Sequence, residues 1–146
     1  MLTSLPRKAE QQSSGERMRL KRLLSGKLHR IRVTEAQVNY VGSVGIDQDF
    51  MDAAGIQMNQ EVHVVNATNG ERWITYAIPA KRGSKTMSLN GGGARKGVIG
   101  DILIVMVYDW TDEPTTPKVV FFGDENKVLK VGTTEIHGTI HPDLQE

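Results

Sequence analysis

Apolar and polar positions alternate along this chain in short runs, and a period of two predicts strands rather than helices. Leu28 to Val33, within "KLHRIRV", reads as a strand with one wet face. "DQDFMDAAGI" differs: its acidic first turn and its terminal Gly55 predict one short helix. "QEVHVVNATNG" and "ERWITYAIPA" predict two strands joined through Asn69-Gly70, a strong hairpin signal. Pro79 is expected to end the second of them or to confine it to an edge. Beyond it, "KTMSLN" reads as a short strand, "GGGARKG" as a loop, and "VIGDILIVMVYDW" as a turn followed by a buried strand. "KVVFFGDENKVLKV" reads as two strands around Gly123-Asp124. Many short strands with so little helix predict an all-β fold, mainly β with short helices, as a compact barrel or sandwich. A barrel this small exposes edges that partner subunits would cover.

At 146 residues the chain is expected to form one domain. With 38% hydrophobic and 24% charged residues its composition is that of a soluble globular protein. No apolar run approaches the roughly 18 residues of a membrane span, so no membrane partner is expected. Residues 1–17, with Pro6 and the "QQSSGE" cluster, read as a disordered extension, and Met18 serves equally well as a start. Periodicity fades after about residue 132, so 18–132 is the expected folded unit and 133–146 a flexible tail. Cysteine is absent, which excludes disulfides, thiolate nucleophiles and thiolate metal sites and fits a reducing cytoplasm. The net charge of +1 conceals an asymmetry: residues 1–32 hold nine Lys/Arg and two Glu, the remainder nine and fifteen acidic. That basic arm carries no aromatic residue before Met18 on which a base would stack, so no nucleic-acid partner is expected.

Familiar catalytic patterns fit poorly. His29, His63, His137 and His141 form no close pair with ligand spacing, so no metal is expected. "VGSVG" lacks the Gly-x-Ser-x-Gly spacing of a nucleophile elbow. In "NGGGARKG" Lys96 is followed by Gly97 and a strand, whereas a phosphate-binding loop needs Lys-Ser/Thr opening a helix. Gly42-Ser43 allows different chemistry. The Ser43 hydroxyl lies close to the preceding carbonyl carbon, and attack through a five-membered ring converts amide to ester. Glycine leaves that carbonyl unshielded. Elimination from the ester then gives dehydroalanine, which hydrolyses to a pyruvoyl group and ammonia. By itself a Gly-Ser pair is a common turn.

Lys27 in "SGKLHRIRVT", then "VGSVGIDQDFMDAAGI", "NATNGERWITYAIPAKRGS" and "SLNGGGARKGVIGDILIVMVY" occur in this order, and together resemble the pyruvoyl-dependent aspartate 1-decarboxylases over about residues 18–130. The resemblance implies a small double-psi β-barrel over 18–132, self-cleaved between Gly42 and Ser43. It also implies a cytoplasmic homotetramer of cleaved α and β chains that makes β-alanine for pantothenate and coenzyme A.

By resemblance, Ser43 becomes the covalent pyruvoyl cofactor, condenses with the amine of L-aspartate as a Schiff base, and draws off electrons as CO₂ departs. Tyr76 matches the proton donor, and a phenol holds its proton at neutral pH. Thr75 matches a residue that supports cleavage and contacts substrate, by a hydrogen bond to the oxyanion formed at Gly42. Arg72 and Lys27 match two cations for a dianionic substrate. Asn90 and the backbone of Gly91, Gly92 and Gly93 match the substrate-binding loop, which commonly reads Asn-Gly-Ala-Ala in the family. Strict alternation puts Arg72 and Thr75 on opposite faces of one strand, so a bulge, a twist or a neighbouring subunit must reconcile them. Maturation is expected to be spontaneous or assisted by an accessory protein. The rival expectation is an uncleaved, non-catalytic β-barrel binding module.

Overall fold

The computed structural model describes residues 17–139. The extension expected to be disordered, apart from Arg17, and the tail beyond residue 139, with His141, lie outside the described residues. Nine strands form the body: β1 (Lys21–Arg32), β2 (Glu35–Gln37), β3 (Val44–Asp47), β4 (Glu61–Asn66), β5 (Arg72–Ala80), β6 (Met87–Asn90), β7 (Ile102–Thr111), β8 (Lys118–Phe122) and β9 (Val128–Gly132). Among the described residues one α-helix, α1 (Gln48–Ala54), and two 3-10 turns, Gly91–Arg95 and Asp124–Asn126, complete it. The strand order is β2-β6-β3-β5-β4-β7-β1-β8-β9. Three pairs are parallel: β1 with β8, β2 with β6, and β3 with β5. This mainly-β, mixed topology is consistent with the expected double-psi β-barrel.

The predicted helix forms where its caps dictate. The Asp47 carboxylate accepts from the Asp49 N–H at 2.8 Å, and Gly55 closes the C-terminus in the left-handed region at φ 73°. Phe50, Met51 and Ala54 face inward, and the Phe50 ring meets Phe122 of β8 edge-on at 4.7 Å, a geometry favourable for aromatic pairs. The core gathers alternate residues of the central strands, among them Val62 and Val64, Leu103 and Val105, Val120 and Phe122, all at most 1% exposed.

Two expectations need correction. β1 begins at Lys21, seven residues before the predicted strand, and its register slips at Leu24/Gly26 and His29/Ile31. The second slip centres on Arg30, at φ 69°, and spaces the buried Leu28 and Ile31 three apart instead of two. β5 is not an edge strand and does not stop at Pro79: residues 72–76 pair with β4, and residues 77–80 pair with β3. The register puts Pro79 opposite Ile46 of β3, past the end of the β4 ladder, so locally only one flank is paired and the missing N–H costs nothing there.

Candidate active site

The short strand β3 sets the site. Val44 lies opposite Ala77 on parallel β5 and opposite Leu89 on antiparallel β6. One step earlier, Ser43 therefore lies between Tyr76 and Asn90, and the Asn90 N–H donates to the Ser43 carbonyl at 2.8 Å. Gly42 precedes it at φ +92°, joined through a trans peptide. A side chain at Gly42 would be strained at this φ, and its Cβ would fall 2.4 Å from Ile78 Cδ1, so Ile78 would have to shift to admit it. The loop leading in is open: Tyr40 and Val41 are 53% and 91% exposed.

Asn90 is buried, and its Oδ1 accepts from the Ser88 hydroxyl. It opens directly into the 3-10 turn Gly91–Arg95, where a loop was expected; the Lys96 N–H closes that turn on the Gly93 carbonyl at 2.9 Å. A bracket beneath holds the turn. Asn66 Nδ2 donates to the Lys96 carbonyl at 3.1 Å and to Asp101 Oδ2 at 2.9 Å, and Asp101 Oδ2 also accepts from the Val98 N–H. The third glycine has a local reason: a Cβ on Gly93 would stand 3.2 Å from Trp73 Nε1, tighter than ordinary contact. An alanine there would need Trp73 to give by a few tenths of an ångström.

The remaining candidates divide. On β5, Arg72, Ile74 and Tyr76 are exposed, whereas Trp73 and Thr75 are half-buried and Ala77 is buried. The β4–β5 register runs from Val65↔Arg72 to Glu61↔Tyr76 without a shift, so no bulge turns Arg72 towards Thr75. Lys27 sits on β1, separated from β5 in the sheet by β4 and β7. Its Nζ pairs with Glu135 Oε2 at 2.6 Å, and the lysine side chain is only 15% exposed. Gly42, Ser43, Tyr76, Asn90 and the glycine turn therefore gather at one end of β3, while Lys27 and Arg72 stand apart within one chain. Sequence reasoning missed Glu135, Ile78 and the Asn66–Asp101 bracket; only Ile78 carried a signal, two residues after Tyr76 on the same face. Among the described residues no group of three His, Asp or Glu could hold a metal ion.

Comparison with known proteins converges on one group. The family model described as aspartate decarboxylase matches residues 18–129. A protein named aspartate 1-decarboxylase from Carboxydothermus hydrogenoformans is 48% identical over 120 residues, covering 80% of this chain and 94% of the relative. Its namesakes from Caldicellulosiruptor saccharolyticus and Neisseria meningitidis are 49% and 48% identical, covering 79% and 81% of this chain and 93% and 96% of their own. A rationally designed protein, mkDPBB_sym_86, superposes with a TM-score of only 0.44 at 22% identity, over 59% of this chain and 95% of its own, too loosely to add weight. Nearly the whole length of these relatives is matched, Gly42-Ser43 and the glycine turn lie inside the matched span, and the chain belongs to the aspartate decarboxylase family.

Proposed function

We propose that this chain cuts itself between Gly42 and Ser43 and then, as family membership entails, decarboxylates L-aspartate to β-alanine for pantothenate biosynthesis with a pyruvoyl cofactor. The observation that carries the cleavage is the gathering of a positive-φ Gly42, Ser43, Tyr76 and Asn90 at the mouth of β3. Ser43 Oγ attacks the Gly42 carbonyl carbon, the C–N bond breaks, and the hydroxyl proton passes to the freed nitrogen. Thr75 supports this step by donating to the oxyanion. Loss of the Ser43 α-proton and of the ester C–O bond leaves Gly42 as a carboxylate and residue 43 as dehydroalanine. Water then replaces nitrogen, ammonia leaves, and no oxidant is required.

The donor set fits such a group: Ser43 is half-buried, its carbonyl is pinned by the Asn90 N–H, and the side-chain-free backbone of Gly91 and Gly92 follows Asn90 directly. Once formed from Ser43, a pyruvoyl group would supply a ketone to hold the substrate amine and an electron sink for loss of CO₂. This chain's side chains do the rest. Tyr76 delivers a proton to the α-carbon. Arg72 and Lys27 neutralise the two carboxylates, and Asn90 with the glycine turn orients the substrate. Because Arg72, Thr75 and Lys27 do not converge within one chain, a complete site draws on a second copy, and we propose a cytoplasmic homotetramer. Exposed Val41, Ile74, Val98, Ile99 and Trp110 offer apolar area for that assembly.

Intact-mass analysis tests the proposal. Wild-type protein should yield pieces of 42 and 104 residues (146 minus 42), the larger shifted in mass by borohydride, whereas Ser43→Ala should stay whole and release no CO₂ from aspartate. A whole wild-type chain with full turnover would overturn it. Incubating the purified protein alone shows whether an accessory maturation factor is needed.

A further inference from the structure

Ile78 lies two residues beyond Tyr76 on the same face of β5, opposite Gly45 in the parallel register with β3. Its side chain covers the α-carbon of Gly42 on the side where any other residue would carry a Cβ. That position falls 2.4 Å from Ile78 Cδ1, 3.3 Å from Cγ1 and 3.8 Å from Cγ2. Among the described residues, chain neighbours aside, no atom comes nearer to that position than these three.

Glycine at residue 42 creates a problem as well as an opportunity. It alone adopts φ +92° without strain, yet the same freedom lets an unsupported glycine visit many other states. Few of those present the carbonyl carbon to the Ser43 hydroxyl. The loop before it offers little restraint, since Val41 is 91% exposed. On the far side, the Ser43 carbonyl is fixed by the Asn90 N–H. We propose that Ile78 is the positioning residue for chain cleavage: by packing on the Gly42 α-carbon it holds the peptide in the conformation from which Ser43 attacks. This rests on the reading that the Gly42–Ser43 bond is cut. Ile78 has no chemically reactive group and acts through Gly42. Displacing an attacked carbon by about 1 Å costs on the order of 100-fold in rate, so losing one methyl group is enough to register.

The test is the time course of cleavage in freshly made proenzyme, followed by intact mass. Ile78→Ala should slow cleavage by at least about tenfold, and Ile78→Val, which lacks only Cδ1, should fall between it and wild type. A structural control uses the uncleavable background: Ser43→Ala and Ser43→Ala/Ile78→Val should melt at the same temperature. Wild-type cleavage rates in both Ile78 variants would overturn the proposal. So would a melting temperature that drops in the Ser43→Ala background in step with the lost rate, which assigns Ile78 to the fold alone. A wild-type chain that never cuts would instead sink the cleavage reading itself.

Discussion

The two ends of β3 are built on opposite plans, although only four residues separate them. At the C-terminal end Asp47 is 1% exposed and bonded through both carboxylate oxygens. Its Oδ1 accepts from the Asp49 N–H at 2.8 Å and the Gly83 N–H at 3.1 Å, its Oδ2 accepts from the Lys85 N–H at 2.7 Å, and its own N–H donates to the Thr86 carbonyl. One carboxylate thereby caps α1 and ties down the loop between β5 and β6. At the N-terminal end an open loop leads into Gly42 at φ +92° and half-buried Ser43. A bond that is to break needs room to reach an uncommon conformation, and the fold must outlive the break. β3 meets both demands of the proposed cleavage because its ladders to β5 and β6 begin at Val44, just past the Gly42–Ser43 bond.

The sharpest way to break this contrast is Asp47→Ala. It removes three hydrogen bonds to a charged acceptor, each contributing about 1.5–3 kcal/mol. Allowing for water entering the loop, a loss of at least about 3 kcal/mol in a urea titration is expected, a large share of a typical domain's total. Asp47→Asn, which keeps one acceptor oxygen, should lose about half as much. Val41→Ala at the open end should change stability by no more than about 0.5 kcal/mol. Similar values at both ends would refute the division of labour.

Lys27 lies between these extremes, as a residue matched to substrate that nevertheless has a protein partner. Glu135 offers it a carboxylate at 2.6 Å, chemically a competitor for one carboxylate of aspartate. Both side chains retain some exposure, 15% and 39%, so the pair is worth at most about 1 kcal/mol. Glu135→Gln should therefore lower KM for aspartate by up to about fivefold and leave kcat unchanged. A raised KM would show that Glu135 holds the lysine in place instead of blocking it.

Much of this framework was legible because it rests on local rules. The acidic turn and Gly55 delimited α1, Asn69-Gly70 marked the β4–β5 connection, and the apolar run within "GDILIVMVYDW" became β7. Strict alternation also separated Arg72 from Thr75, as the structure does. What stayed hidden depends on long-range pairing. Nothing in "MSLN" says that it runs antiparallel to β3 and parallel to β2, and the three-residue β2 carries too little periodicity to be seen. The bulge at Arg30 breaks the very alternation by which β1 was found. Gly42-Ser43 became meaningful through resemblance to a family; its contact with Ile78, 36 residues away, exists only once β5 is laid beside β3.

The smallest effect sets an exposed carboxylate beside the buried one. Asp52, one turn along α1 from the cap, accepts from Arg82 at 2.7 Å and from Gln48 at 2.9 Å, and the same guanidinium reaches Asp49 at 2.6 Å. The hydrogen bond from Arg82, then that from Gln48, holds the Asp52 carboxyl below its ordinary value of 3.8. A carboxyl lowered on folding stabilises the protein above its unfolded-state value, and that contribution fades as pH falls through the folded-state value. Asp52→Asn should thus melt slightly below wild type at pH 7, with the gap closing under acid below the ordinary carboxylate range. It should also shrink in 1 M salt, because the group is open to solvent. Asp and Asn differ little in helix propensity, so a gap that persists at low pH would mean that Asp52 acts through packing and not through charge.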